Sequence, residues 1–376
     1  MAELNNPFVI SGYVSPEYFC DRRKETADLI RYVTNGNNVA LISTRRMGKT
    51  GLIQHCFNNP GISKGYYLFF VDIYAAKSLK ELVFGLSKVI LEGLRPFGRN
   101  ALERFWNTLK SLQAGISFDP AGNPSFNVQL GDIRHSEVTL EEIFRYLADA
   151  DKPCIVAIDE FQQIAAFPEN NVEAILRTHI QHCPNAQFIF AGSQRHVMGN
   201  IFSSPSRPFY QSVSMMHLEQ IDMDEYVAFA SWHFKRKGKT LGEEVVEQVY
   251  DRFEGITWYV QKMLNMLFSL TPQGGKCSED MIAGALETVL DSYRYNYSEI
   301  LFRLPEKQKE LLIAIAKEGK AEAITSGQFV QKYSLSSASS VQAAMRGLLE
   351  KDFVTVENGV YAVYDRFFAL WLQKNY

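Results

Sequence analysis

The run Ser43-Thr44-Arg45-Arg46-Met47-Gly48-Lys49-Thr50 carries the clearest chemistry in this chain. It stands between a short apolar run, Val39–Ile42, and a helical pattern beginning near Gly51. A loop in that position turns successive backbone N–H groups and a helix N-terminus toward one point, a concave site for phosphates. Gly48 lets the backbone pass close to a phosphate, Lys49 supplies positive charge to the β- and γ-phosphates, and the Thr50 hydroxyl is a ligand for Mg2+. Ser43 occupies the place where such loops usually carry their first glycine. The plain alternative is a turn glycine beside a solvated lysine and threonine. The strand–loop–helix setting favours the phosphate reading.

Farther along, Ile155-Val156-Ala157-Ile158-Asp159-Glu160 ends an apolar run in two carboxylates. A buried strand of this kind delivers both acids to the carboxyl edge of its sheet, where open α/β sheets bind ligands. Asp159 then holds Mg2+, directly or through water, and Glu160 orients and polarises an attacking water. The next apolar run closes in Ala191-Gly192-Ser193-Gln194-Arg195. Ser193 is a candidate sensor of the γ-phosphate or its water, with a Gly-Ser turn as the alternative. Arg195 and Arg207 are candidates for stabilising transition-state charge, and each taken singly reads equally as a surface arginine.

These residues need elements to hold them. Strand patterns cover Val39–Ile42, residues 66–74, Cys154–Asp159, residues 187–191 and, more weakly, residues 212–218. Helical patterns lie between them, at residues 21–32, Leu79–Leu94 and residues 140–147. Apolar strands alternating with helices predict a mostly parallel sheet covered on both faces. Residues 116–130 alternate at period two around Pro120-Ala121-Gly122-Asn123-Pro124, which predicts an inserted β-hairpin. After residue 220 the strand signals stop, and residues 223–235, 243–253, 258–270 and 279–301 read as helices. A helix at residues 306–317, a helix pair at 325–333 and 338–351, and a hairpin at 353–364 give the order of a winged helix-turn-helix. The expected division is a nucleotide-binding α/β domain at 1–220, a helical lid at 221–303 and a winged helix at 304–376.

Composition narrows the classes. The 376 residues suffice for two or three domains, and 46% hydrophobic with 22% charged residues is ordinary for a soluble globular protein. A net charge of −3 provides no overall basic field toward nucleic acid or membrane. Cys20, Cys56, Cys154, Cys183 and Cys277 are scattered and form no Cys-x-x-Cys pair, which argues against a disulfide framework or zinc site. No signal-peptide pattern and no membrane-length apolar run occur, so the cytoplasm is the expected location.

The strings Phe19-Cys20-Asp21-Arg22-Arg23-Lys24-Glu25, Arg45-Arg46-Met47-Gly48-Lys49-Thr50 and Asp159-Glu160-Phe161-Gln162 resemble the archaeal-type ATPases, part of the STAND branch of the AAA+ superfamily. The likeness continues through Ala191-Gly192-Ser193, residues 255–259 and Tyr364-Asp365-Arg366-Phe367-Phe368-Ala369-Leu370-Trp371. It implies an ASCE-type P-loop sheet, a helical lid, a C-terminal winged helix, and Asp21 and Arg22 on the adenine side. Thr257 stands where such proteins often carry proline, and Gln211-Ser212 where a Gly-Arg pair is common, which leaves Arg207 as the substitute finger.

The expected function is a Mg2+-dependent ATPase acting as a switch that signals to a protein partner through the winged helix. The alternatives are a DNA-binding regulator with an accessory ATPase and a nucleotide-binding scaffold that scarcely hydrolyses. Residues 301–376 hold 10 Lys and Arg against 8 Asp and Glu, a net of +2. The expected reading helix offers only Ser339, Ser340, Gln342 and Arg346. Protein docking therefore stands ahead of DNA.

Overall fold

A computed structural model describes residues 3–111, 116–118, 124–126 and 129–376. Its centre is a parallel five-stranded sheet in the order Tyr67–Asp72, Cys154–Asp159, Ala186–Gly192, Val39–Ile42, Ser214–His217. Every residue of Val39–Ile42, Cys154–Asp159 and Ala186–Gly192 is buried, as parallel strands covered on both faces require. The side chains alternate between those faces. Ala40 and Ile42 join a large core with Leu82, Leu86 and Ile90 of helix Leu79–Leu94 and Ile143 of helix Ser136–Asp149. Helix Arg23–Thr34 packs against the same central strand and buries Leu29 and Val33.

Asn38 fixes the start of the sheet. Its side-chain oxygen accepts from Phe188 N at 2.8 Å and its carbonyl accepts from Ser214 N at 2.8 Å, so one residue sets the register of both neighbouring strands. The inserted hairpin forms where its alternation predicts, Ile116–Phe118 running antiparallel to Pro124–Phe126. Its turn, 119–123, lies outside the described residues. Leu130, at the end of the alternating pattern, belongs instead to the short turn Leu130–Asp132.

The chain divides into two compact units, Val9–Glu225 and a second made of Tyr226–Tyr376 with the N-terminal segment up to Phe8. That segment belongs with the helices for a physical reason. Asn6 Nδ2 donates to Asn265 O at 2.8 Å, Asn265 Nδ2 donates to Phe8 O at 2.8 Å, and the buried Phe8 ring contacts Phe229, Phe234 and Phe268. Helices Met223–Arg236, Glu243–Arg252, Thr257–Leu270 and Asp280–Arg303 follow the sequence pattern closely.

The C-terminal part has the winged-helix order: Glu306–Glu318, Gly327–Lys332, Ala338–Glu350, then the antiparallel pair Val354–Glu357 and Val360–Val363. An additional helix, Arg366–Asn375, follows the wing; Asp365 caps it by accepting from Phe367 N and Phe368 N. Its Phe367 ring packs on Phe253, Trp258 and Tyr259, while Tyr259 Oη accepts from Arg366 N at 2.9 Å. Glu254 adds ion pairs to Lys320 and Arg366, at 2.5 and 2.9 Å. Among the described residues, no helix is long and apolar enough to cross a membrane.

Candidate nucleotide site

Helix Lys49–Phe57 begins one residue beyond Gly48, two residues earlier than the sequence pattern indicates, so Lys49 and Thr50 occupy its first turn. Gly48 is its N-cap at φ 93°, a left-handed conformation that costs glycine little. Gly51 has a packing reason: a Cβ there would lie 3.3 Å from Phe19 Cε2, and Phe19 stacks on His55 of the same helix.

Lys49 is only 6% exposed. Its ammonium donates to Ser43 O, Ser43 Oγ and Thr44 O, each at 3.3 Å. Burial holds it below the ordinary lysine range, the carboxylates of Glu160 and Asp159 pull it back up, and the guanidinium groups of Arg45 and Arg195 push it down. These charges therefore act on one another at a single place, although they come from separate stretches of chain.

Thr50 Oγ1 donates to Asp159 Oδ2 at 2.6 Å, bringing the two expected metal ligands together from different elements. Burial pushes the Asp159 carboxyl above its usual range; the Thr50 hydroxyl pulls it down, Glu160 raises it and Lys49 lowers it. Two hard oxygen donors suit Mg2+, which keeps several waters and phosphate ligands rather than a closed protein cage, while the positive helix end beside them suits the phosphates. No cluster of three or more His, Cys, Asp or Glu able to hold a metal occurs among the described residues.

At Glu160 the chain leaves the strand through the left-handed region, φ 56° and ψ 38°. For a residue with a Cβ that conformation costs about 1–2 kcal/mol. It also breaks the strand alternation that would send Asp159 and Glu160 to opposite faces. Asp159 Oδ1 supports the turn by accepting from Glu160 N at 3.0 Å. Glu160 Oε2 then accepts from Ser193 Oγ at 2.7 Å, across from the neighbouring strand, and from Gln162 Nε2. Sequence reasoning named Ser193 but left Gln162 out. The string Asp159-Glu160-Phe161-Gln162 carried the residue, but only the turn at Glu160 folds it back onto the carboxylate.

The remaining candidates separate. Arg22 is 2% exposed and donates to Met47 O at 3.3 Å and to Glu25 Oε1 at 2.7 Å, so the turn before helix Arg23–Thr34 is tied to the phosphate loop. Asp21 and Arg22 both take left-handed φ values, 49° and 64°. Arg46 does so within the loop, at 70°. Arg45 lies over the exposed Tyr74 ring at 5.7 Å. Arg195 opens helix Arg195–Ser203 and adds its charge to the Lys49 environment. Arg207 instead pairs with Glu173 at 3.2 Å. Nothing in the sequence foretold this pairing.

Comparison with known proteins agrees on the fold. A family model described as "Probable winged helix domain" matches residues 295–374. Among solved structures, a Walker-type ATPase of Pyrococcus abyssi shares 19% identity at a TM-score of 0.67, covering 98% of this chain and 99% of that one. The ORC2 protein of Aeropyrum pernix, solved as ADPNP–ADP complexes, gives 15% identity, TM-score 0.60, and covers 98% and 95% of the two chains. The ORC1 protein of the same organism, solved with DNA, gives 12% identity, TM-score 0.54, and coverage of 99% and 97%. No curated protein matches the sequence. The chain has the parallel-sheet α/β fold of the P-loop ATPases, with further helices and a C-terminal winged helix.

Proposed function

We propose that this protein is a Mg2+-dependent ATPase working as a nucleotide-controlled switch. The observation that carries the reading is the meeting of Thr50 Oγ1 and Asp159 Oδ2 at 2.6 Å, in a setting where Asp159 and Glu160 both act on the buried Lys49 ammonium. Ser43, Thr44, Arg45, Arg46, Met47, Gly48 and Gly51 form the cradle for the phosphates, and Lys49 neutralises them. Thr50 and Asp159 hold Mg2+, which when bound supplies charge to the phosphate oxygens. Glu160 orients the attacking water, Ser193 monitors it, and Asp21 with Arg22 borders the base. Arg195, whose charge reaches Lys49 and which lies 3.9 Å from Glu219, joins Arg207, which Glu173 engages at 3.2 Å, as a candidate source of transition-state charge. The proposed division is 1–220, 221–303 and 304–376, amended in that the segment up to Phe8 belongs with the helices. Membership of the archaeal-type ATPases of the STAND branch, and a cytoplasmic location, belong to the same proposal.

The output of the switch is assigned to the winged helix and a protein partner. A DNA-binding regulator is the second reading, favoured by the winged-helix match and by the likeness to an ORC1 protein solved with DNA. Ser339, Gln342 and Arg346 are exposed on helix Ala338–Glu350, but one arginine on that face provides little phosphate neutralisation. The test is capture with Glu160→Gln protein held in Mg-ATP, followed by mass spectrometry and nucleic-acid staining. A protein retained only with ATP supports the switch; retained DNA promotes the regulator. Capture that is identical with and without ATP contradicts a nucleotide-controlled switch.

A further inference from the structure

We infer that Gln162 is a positioning residue for hydrolysis, fixing Glu160 and Ser193 as one hydrogen-bonded unit. This rests on the ATPase reading above and goes beyond it, because that reading needs only a carboxylate near the phosphates. Gln162 is 4% exposed on the turn Phe161–Ala166 that follows the acidic strand end. One amide hydrogen goes to Glu160 Oε2 and the other to Ser193 Oγ at 3.2 Å, while its carbonyl oxygen accepts from Ser193 N at 3.3 Å. The Ser193 hydroxyl completes the ring by donating to Glu160 Oε2 at 2.7 Å.

The proton inventory of this ring has one consistent solution. Gln162 supplies two N–H donors and one acceptor oxygen, and Ser193 supplies one hydroxyl proton, an accepting oxygen and its backbone N–H. With Ser193 accepting from Gln162, its only hydroxyl proton is directed at Glu160. Glu160 Oε2 then accepts two donors, an arrangement suited to the ionised carboxylate. Both donors lie on the same oxygen, so the carboxylate cannot rotate without breaking both bonds. Oε1 is left as the oxygen that can address a water.

The neighbouring glycine shows that the arrangement is built. A Cβ at Gly192 would lie 2.7 Å from Gln162 Oε1 and 2.6 Å from Met198 Cγ, so any larger residue there would displace the Met198 side chain, the amide or both. Gln162 also counteracts a specific weakness. The turn at Glu160 is in a left-handed conformation, which by itself gives the carboxylate no fixed aim. An amide bonded to the next strand gives it one.

The experiment is single-turnover hydrolysis with wild-type protein, Gln162→Met, Glu160→Gln and the double variant, alongside Mg-ATP affinity and thermal melting. Methionine keeps the length of glutamine and removes its hydrogen bonds. A reacting group misplaced by about 1 Å costs on the order of 10²-fold, so Gln162→Met should lose about that much in kcat. KM and Mg-ATP affinity should hold. In the Glu160→Gln background Gln162→Met should cause no further loss, because the carboxylate it serves is gone. Gln162→Glu, which cannot donate when ionised, should fail to restore the rate. If Gln162→Met melts early, Gln162→Glu, which keeps the size of the side chain and loses its donors, should lower kcat with affinity kept. An unchanged kcat in either folded variant overturns the inference. So does an equal further loss in the Glu160→Gln background, which would mean that Gln162 acts only on the fold. A wild-type protein that binds Mg-ATP without turnover, or does not bind it, overturns the ATPase reading and this role with it, a result separable from the others by the wild-type control alone.

Discussion

The edge of the parallel sheet and the seam joining residues 253–259 to residues 364–371 are built on opposite plans. At the sheet edge, Lys49, Asp159, Gln162 and Ser193 bury charge and polarity around the half-buried Glu160, and each bond depends on one or two atoms. Burial works against the charged forms of both Lys49 and Asp159. At the seam, Phe253, Trp258, Tyr259 and Phe367 form a block of rings, with Tyr259 Oη and Glu254 as the polar ties. Load there is shared among many contacts, each individually small. The lesson is a separation of consequences. One-atom changes at the edge should remove chemistry and spare the fold, and comparable changes at the seam should weaken the fold and spare the chemistry.

The largest effect that would break this comparison is expected at Glu160. Glu160→Gln should keep Mg-ATP affinity and lose about 10²–10⁴-fold in turnover, the usual contribution of a group that moves or orients a proton. Phosphate release from protein free of contaminating ATPase checks it. Undiminished release would remove Glu160 from the chemistry. Next comes Phe367→Ala, which deletes a fully buried ring and should cost about 3–5 kcal/mol of stability by denaturant unfolding. A loss under about 1 kcal/mol would show that the seam is not the shared aromatic block described above.

Tyr259→Phe sharpens the picture. It keeps the ring but removes the acceptor for Arg366 N and the donor to Tyr364 O, the latter at 3.4 Å. The expected cost is about 1–2 kcal/mol, with ATP turnover unchanged. A large fall in turnover at full stability would mean that the seam participates in the chemistry.

The smallest effect is predicted for Arg346→Ala, which should leave ATP hydrolysis unaltered. Binding to random duplex DNA by the intact protein should be weak and salt-sensitive, about micromolar or poorer as for non-specific contacts. Fluorescence anisotropy across a salt series measures it. Nanomolar binding lost in the variant would promote the DNA reading.

Much of the sheet edge was legible because its chemistry demands particular residue types in short strings. Gly48-Lys49-Thr50 and Asp159-Glu160 each declare themselves within a few residues, and the apolar runs before them specify buried strands. The positions of Gln162 and Arg207 were not legible. Gln162 depends on a left-handed turn at Glu160 that no local preference announces, and Arg207 depends on Glu173, a partner distant in sequence. The packing of Phe8 among Phe229, Phe234 and Phe268 was hidden for the same reason. Helix Arg366–Asn375 did leave a signal in the cap residue Asp365 and the apolar spacing Phe367, Phe368, Trp371, Leu372.

The central claim is that Lys49, Thr50 and Asp159 together form a Mg-ATP site, and calorimetric titration tests it most directly. Wild-type protein should bind Mg-ATP with measurable heat. Lys49→Ala should show severely weakened binding or none in a protein that still folds cooperatively, because Gly48 sets the turn and the variant loses only the three 3.3 Å hydrogen bonds from Lys49 to Ser43 and Thr44. Wild-type affinity in a folded Lys49→Ala protein would contradict the account.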